Sequence, residues 1–150
     1  MDYKILIVDD HGLVRAGLKP ILDDALGGKC EILEAENLAT TLDVIEQHQD
    51  DMDLVLLDLT LPDAQGLTAL DRVRERYPTV PLAVLSGQDD THLIQAAHRQ
   101  NISAFIIIRN SLFFSSISCG SFPYNSVTTD TGIFLLIYNI KSFIYSNRTA

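Results

Sequence analysis

The chain has 150 residues and a mass of 16.6 kDa, enough for one domain, or one domain and an appendage, to bury its own core without disulfides or a structural metal. Apolar residues make up 47% of it and charged residues 21%, which sets it apart from disordered chains. The net charge of −9 argues against direct nucleic-acid binding through phosphate neutralisation.

Cys30 and Cys119 form no CxxC pair, so neither a disulfide framework nor a zinc site is expected, and the compartment reads as the reducing cytoplasm. Residues 1–6 carry no basic leader, and Ile5 to Val8 is too short for a signal-peptide core. The densest apolar run, Gly132 to Tyr145, is interrupted by Asn139 and Lys141 and falls short of a membrane span.

From the amino terminus, Lys4 to Val8 reads as a buried strand ending in acid. Leu13, Val14, Leu18, Ile21 and Leu22 then share one helical stripe, which Pro20 should kink or shorten. Glu31 to Ala35 is a second strand, and Asn37 is a suitable N-cap for a helix with Leu38, Leu42 and Ile45 on one face. Leu54 to Leu57 is a third strand, followed by Leu61-Pro62-Asp63 and a helix with Leu67, Leu70 and Val73 inward. Pro78 and Pro81 bracket a turn before a fourth strand, Leu82 to Leu85. Asp90 can cap a helix carrying Leu93, Ile94 and Ala97, and a fifth strand opens at Ala104. Alternating strands and helices with short connections imply an α/β parallel sheet covered on both faces.

The composition breaks near residue 106. Residues 1–105 hold 8 basic against 19 acidic residues, a net −11, while residues 106–150 hold 3 against 1, a net +2. The second segment is rich in Ser, Ile, Phe, Tyr and Asn, as in Ser111-Leu-Phe-Phe-Ser-Ser, and shows no amphipathic helical stripe. A shift of coding frame near residue 106 accounts for both features; a divergent edge strand and hairpin is the other reading.

In a parallel α/β sheet the functional crevice lies beyond the carboxyl ends of the strands. Asp9 and Asp10 follow the first strand, Asp58 the third, and Ser86-Gly87 the fourth. Carboxylates brought together there must protonate or hold a cation. Oxygen ligands open to water favour Mg²⁺, which suits phosphoryl chemistry.

With these residues in view, residues 1–105 resemble the receiver domain of bacterial two-component response regulators. Ile7-Val-Asp-Asp-His-Gly-Leu-Val-Arg-Ala-Gly-Leu18 is similar to the opening of the subfamily whose receivers precede a LuxR/FixJ-type helix-turn-helix. Asp53-Leu-Val-Leu-Leu-Asp-Leu-Thr-Leu-Pro-Asp63, with Gly66 beyond it, resembles the phosphorylation-site strand and loop, and Val84-Leu-Ser-Gly87 the switch strand. The resemblance implies a flavodoxin-like doubly wound sheet of five parallel strands in the order 2-1-3-4-5, with the fifth helix absent or atypical here. It divides the chain into a receiver over 1–108 and a tail over 109–150 with no recognisable output domain. It makes Asp58 the phosphoacceptor for a histidine kinase or phosphotransfer protein. It gives Mg²⁺ the ligands Asp10, Asp58 and the Thr60 backbone carbonyl, with Asp9 acting through a water. Ser86 becomes the switch hydroxyl and Phe105 the switch aromatic. The parent family regulates transcription and forms homodimers, and its receiver is a phosphoacceptor switch rather than a turnover enzyme.

One departure bears on function. Receivers of this family carry a lysine three residues past the switch aromatic, where this chain has Ile108. Arg109 is adjacent, but one step along a strand reverses the side chain, so only a bulge or frayed end lets it substitute. A pseudo-receiver or truncated interaction module, impaired in switching, is therefore the alternative. A Mg²⁺-dependent phosphohydrolase with an Asp nucleophile is a distant third, because the second Asp it needs is Thr60 here. Among the remaining polar residues, His11 reads as a cap or a lining of the acidic edge. Glu34 and Glu36 read as a solvated strand rim, and Arg72, Arg74 and Arg76 as a solvated helix end.

Overall fold

The computed structural model describes residues 2–87, 90–109, 113–119 and 144–145, with only the backbone described over 107–109 and 113–119. The expected run Gly132 to Tyr145, apart from its residues 144 and 145, lies outside the described residues, as do the side chains of Ile108 and Arg109.

The strands are β1 (Tyr3–Val8), β2 (Cys30–Ala35), β3 (Leu54–Asp58), β4 (Thr60–Leu61), β5 (Ala64–Gln65), β6 (Leu82–Ser86), β7 (Ala104–Arg109) and β8 (Phe113–Cys119). The helices are α1 (Gly12–Ala25), α2 (Leu38–His48), α3 (Leu67–Arg76) and α4 (Thr91–His98). The main sheet has the order β2-β1-β3-β6-β7-β8. Its first five strands are parallel, in the order expected from the sequence. The addition is β8, which pairs antiparallel with β7 where a fifth helix would otherwise follow. An edge strand presents unpaired N–H and C=O groups, and β8 supplies partners for those of β7.

Alternation along the strands sorts the core into two layers. Leu6, Val8, Val55, Leu57, Leu82, Val84 and Phe105 face α2, α3 and α4, packing on Ile45, Leu70, Val73 and Ala97. Ile5, Ile7, Leu54, Leu56, Ala83, Leu85 and Ile106 face α1, packing on Leu18 and Leu22. Ile144, fully buried, joins this second layer, and the Tyr145 ring meets Tyr3 edge-on at 5.8 Å.

The caps expected at Asn37 and Asp90 are present. Asn37 accepts from the Thr40 N–H at 2.8 Å and Asp90 from the His92 N–H at 2.8 Å. Helix α1 is not shortened at Pro20 and continues to Ala25. Proline removes the N–H that would bond the carbonyl of Ala16, and both residues lie on the exposed side of the helix, where the loss of that bond is least costly.

The run of arginines on α3 is also not uniformly solvated. Arg74 is half-buried and donates to the carbonyls of Gln100 at 2.8 Å, Val80 at 2.6 Å and Asn101 at 2.9 Å. It pins the end of α3 to the turns that lead into β6 and β7.

Candidate functional site

Register brings the strand ends together. Val8 is opposite Leu57 and Asp58 is opposite Leu85, so Asp9, Asp58 and Ser86 form consecutive positions along one rim of the sheet. Asp9 and Asp58 are 4% and 6% exposed, and Ser86 is buried as well. Asp10 stands in solvent beside them, at the start of the turn into α1. One carboxylate oxygen from each of Asp9, Asp10 and Asp58 and a ring nitrogen of His11 lie within 4.8 Å of one another.

Three carboxylates so close repel one another, by roughly 4 kcal/mol per pair at 4 Å with an effective dielectric near 20. Burial pushes the Asp58 carboxyl above the ordinary carboxylate range, and the charges of Asp9 and Asp10 push it the same way. Two bonds oppose the shift: the Thr60 N–H and the Thr60 hydroxyl each donate to Asp58 Oδ1 at 3.0 Å. His11 can supply part of the missing positive charge when protonated, with Nδ1 at 2.9 Å from Asp9 Oδ1 and 3.0 Å from Asp10 Oδ1. The Asp9 hydrogen bond and the neighbouring carboxylates raise the pKa of His11. His11 therefore lines the acidic edge, and its side chain makes no cap bond to α1. A half-buried group of oxygen ligands that repel one another and open to water on the Asp10 side fits a hard divalent cation.

The loop after Asp58 is more ordered than the sequence suggested. β4 and β5 form a small antiparallel ribbon pairing Thr60 with Gln65, closed by a bond from the Gly66 N–H to the Leu59 carbonyl at 2.7 Å. Gly66 has φ of 59°, which glycine adopts at no steric cost. Asp63 leaves the ribbon and accepts from the N–H groups of Leu38 at 2.7 Å and Ala39 at 3.0 Å, fastening the loop to the start of α2. Burial works against its ionisation, but these two N–H bonds prevail and hold the Asp63 carboxyl below its ordinary value.

Phe105 lies in β7 opposite Val84, fully buried in the layer under α2, α3 and α4. Ser86 is opposite Ile107, so Ile108 begins one residue beyond the last paired position of β6. A register irregularity falls between Ile107 and Ile108 in the pairing with β8.

Two residues with a part in the rim went unnoticed in the sequence. Arg15 reaches from α1 to the carbonyl of Asp9 and to both Glu34 and Glu36, which are thereby ion-paired rather than simply solvated. The available signal was an arginine one turn into α1 and a pair of acids two apart at the end of β2. For Asp63 the sequence carries no signal beyond its place after Leu61-Pro62 in the loop that follows β3.

Comparison with known proteins agrees with this arrangement. Residues 5–107 match the model of the response regulator receiver domain. The glycerol metabolism activator of Pseudomonas putida is 38% identical over 104 residues, covering 69% of this chain and 46% of its own. The chemotaxis protein CheY of Bacillus subtilis is 30% identical over 107 residues, covering 71% of this chain and 86% of its own. The signal receiver domain of an HD domain-containing protein from Pseudomonas fluorescens Pf-5 superposes with a TM-score of 0.72 at 18% identity, over 100% of both chains. The chain spans less than half the length of several curated relatives that it matches, at 46%, 41% and 43%. From its sheet order, the acids at its strand ends and these matches, the chain belongs to the response regulator receiver domain family of two-component systems.

Proposed function

We propose that Asp58 is the phosphoacceptor, taking a phosphoryl group from a histidine kinase or phosphotransfer protein as an acyl phosphate. The observation that carries this reading is the buried Asp58 carboxylate, set among Asp9, Asp10 and Ser86 at one rim and held by two bonds from Thr60 to a single oxygen. That leaves the second oxygen of Asp58 as the nucleophile. Asp10, Asp58 and the Thr60 backbone carbonyl would hold Mg²⁺, with Asp9 acting through a water. When bound, the cation neutralises charge on the transferring phosphoryl oxygens. Ser86 donates its hydroxyl to a phosphoryl oxygen, and its inward movement makes room for Phe105 to shift, a two-state element biased by phosphorylation. The domain is thus a switch rather than a turnover enzyme.

We place the receiver unit at 1–108 and read 109–150 as a tail without a recognisable output module; the change of composition near 106 favours a shift of coding frame, whereas the pairing of β8 along β7 and the burial of Ile144 favour the edge-strand reading. Transcriptional output is the role of the parent family, and homodimer formation is open to this chain. The chain itself makes no direct contact with nucleic acid. Among the described residues no helix is long and apolar enough to cross a membrane, and we place the protein in the cytoplasm.

A second reading is supported by Ile108 in the lysine position. In that case phosphorylation at Asp58 proceeds but is poorly transmitted, and the chain acts as an interaction module. Incubation with a small-molecule phosphodonor and Mg²⁺, followed by intact-mass measurement, separates the cases. We expect a one-phosphoryl adduct that is lost in Asp58→Asn and in the presence of a chelator. No adduct on the wild-type chain overturns the phosphoacceptor assignment and leaves the interaction module.

A further inference from the structure

Arg15 lies on α1 one turn beyond His11, with a side chain only 12% exposed. Its Nη1 donates to the backbone carbonyl of Asp9 at 2.6 Å, its Nε to Glu34 Oε1 at 3.0 Å and its Nη2 to Glu36 Oε1 at 2.9 Å. Lys19 holds the other oxygen of Glu34 at 2.6 Å, so the carboxylate that orients the guanidinium is itself oriented. Both backbone groups of Asp9 are held, because its N–H donates to the Ala35 carbonyl at 3.1 Å while its carbonyl accepts from Arg15. The Asp9 side chain is gripped too, its Oδ1 accepting from the His11 N–H at 2.8 Å. One planar group therefore ties β1, α1 and the end of β2 together at the residue where the chain turns to display two acids.

The charge at this position matters as much as the bonds. A bare guanidinium beside a cation site weakens it by repulsion, but Glu34 and Glu36 offset the charge of Arg15. What the rim retains is the fork geometry, which a lysine ammonium cannot reproduce.

We propose that Arg15 is a positioning residue: by fixing the Asp9 carbonyl it sets Asp9 and Asp10 at the separation from Asp58 at which the three hold one divalent cation. The assignment rests on the reading of those three acids as a cation site.

The test is a titration of the full-length chain with Mn²⁺ alone, following free Mn²⁺ by electron paramagnetic resonance, with thermal melts in chelator run in parallel. The wild type should bind, and Arg15→Met should bind about tenfold more weakly, the scale of loss seen when groups orienting metal ligands are removed. Arg15→Lys keeps the charge and the stem; it should also bind more weakly, and it provides the test if Arg15→Met does not fold. The sign of the change is informative. Tighter binding by Arg15→Met means that Arg15 acts through its charge and overturns the proposal. Unchanged affinity in a folded variant, with only the melting temperature lowered, reduces Arg15 to a structural tie and also overturns it. Failure of the wild type to bind removes the cation-site reading, and the role of Arg15 with it.

Discussion

Asp58 is placed where its charged form is least comfortable. Burial is the largest cause, Asp9 and Asp10 add repulsion, and only the two Thr60 bonds resist. The folded state thus binds a proton at Asp58 more readily than the unfolded state does. The associated stability is fully present below the ordinary carboxylate pKa and is lost as pH rises through the raised folded value. At neutral pH without divalent cation, Asp58→Asn keeps an acceptor for Thr60 and removes the repulsion. It should stabilise the fold, on the order of 1 kcal/mol. Urea unfolding in chelator at pH 7 checks this, and the gain should shrink as the pH is lowered towards 4. Equal stability at both pH values would show that the Asp58 charge is not strained.

At this scale the sequence was most informative where a residue stands directly after a strand. Asp9, Asp10, Asp58 and Ser86 needed only the rule that strand ends of a parallel sheet converge. Arg15 and Asp63 needed more, because their partners lie 6 to 25 positions away in the chain and are chosen by how helices pack over the sheet.

Among elements, strands were legible because their apolar runs are nearly unbroken, and helices because caps and stripes coincide, as at Asn37 and Asp90. The β4–β5 ribbon was not, since two-residue strands have no periodicity. Arg74 shows the same limit from the other side. In sequence it is one of three alternating arginines; in the fold it bonds to carbonyls of Val80, Gln100 and Asn101 and is the half-buried one. No carboxylate is paired with it in these bonds, and burial lowers its pKa. Arg74→Met preserves much of the stem and deprives those carbonyls of their donor, and we expect a loss of about 2 kcal/mol. Arg72→Met, at an exposed position of the same helix, should change stability by less than about 0.5 kcal/mol. Equal effects in paired urea unfolding curves would return Arg74 to the solvated face.

For the whole molecule, the two sides of the sheet are unequally covered by the described helices: α2, α3 and α4 on one, α1 alone on the other. Ile144 contributes to the sparser side, fully buried in the layer that contains Ile5, Ile7, Leu18 and Leu56. Ile144→Ala should therefore cost about 3 kcal/mol, as for a large aliphatic side chain removed from a packed core. Tyr145→Ala, half exposed beside Tyr3, should cost less than half of that. A neutral Ile144→Ala in calorimetric melts would mean that this layer is complete without it.

Periodicity, caps and the residues after each strand were sufficient to derive the parallel α/β sheet and four members of the rim, Asp9, Asp10, Asp58 and Ser86; the strand order came from the family resemblance. Those features are local: each is written in a few consecutive residues and survives without knowledge of distant neighbours. Tertiary structure alone decided which polar side chains turn inward, that Phe113–Cys119 pairs along β7, and that Arg15 grips the carbonyl of Asp9. Such choices depend on separations between chain segments, and register and packing set those separations, not the order of residue types.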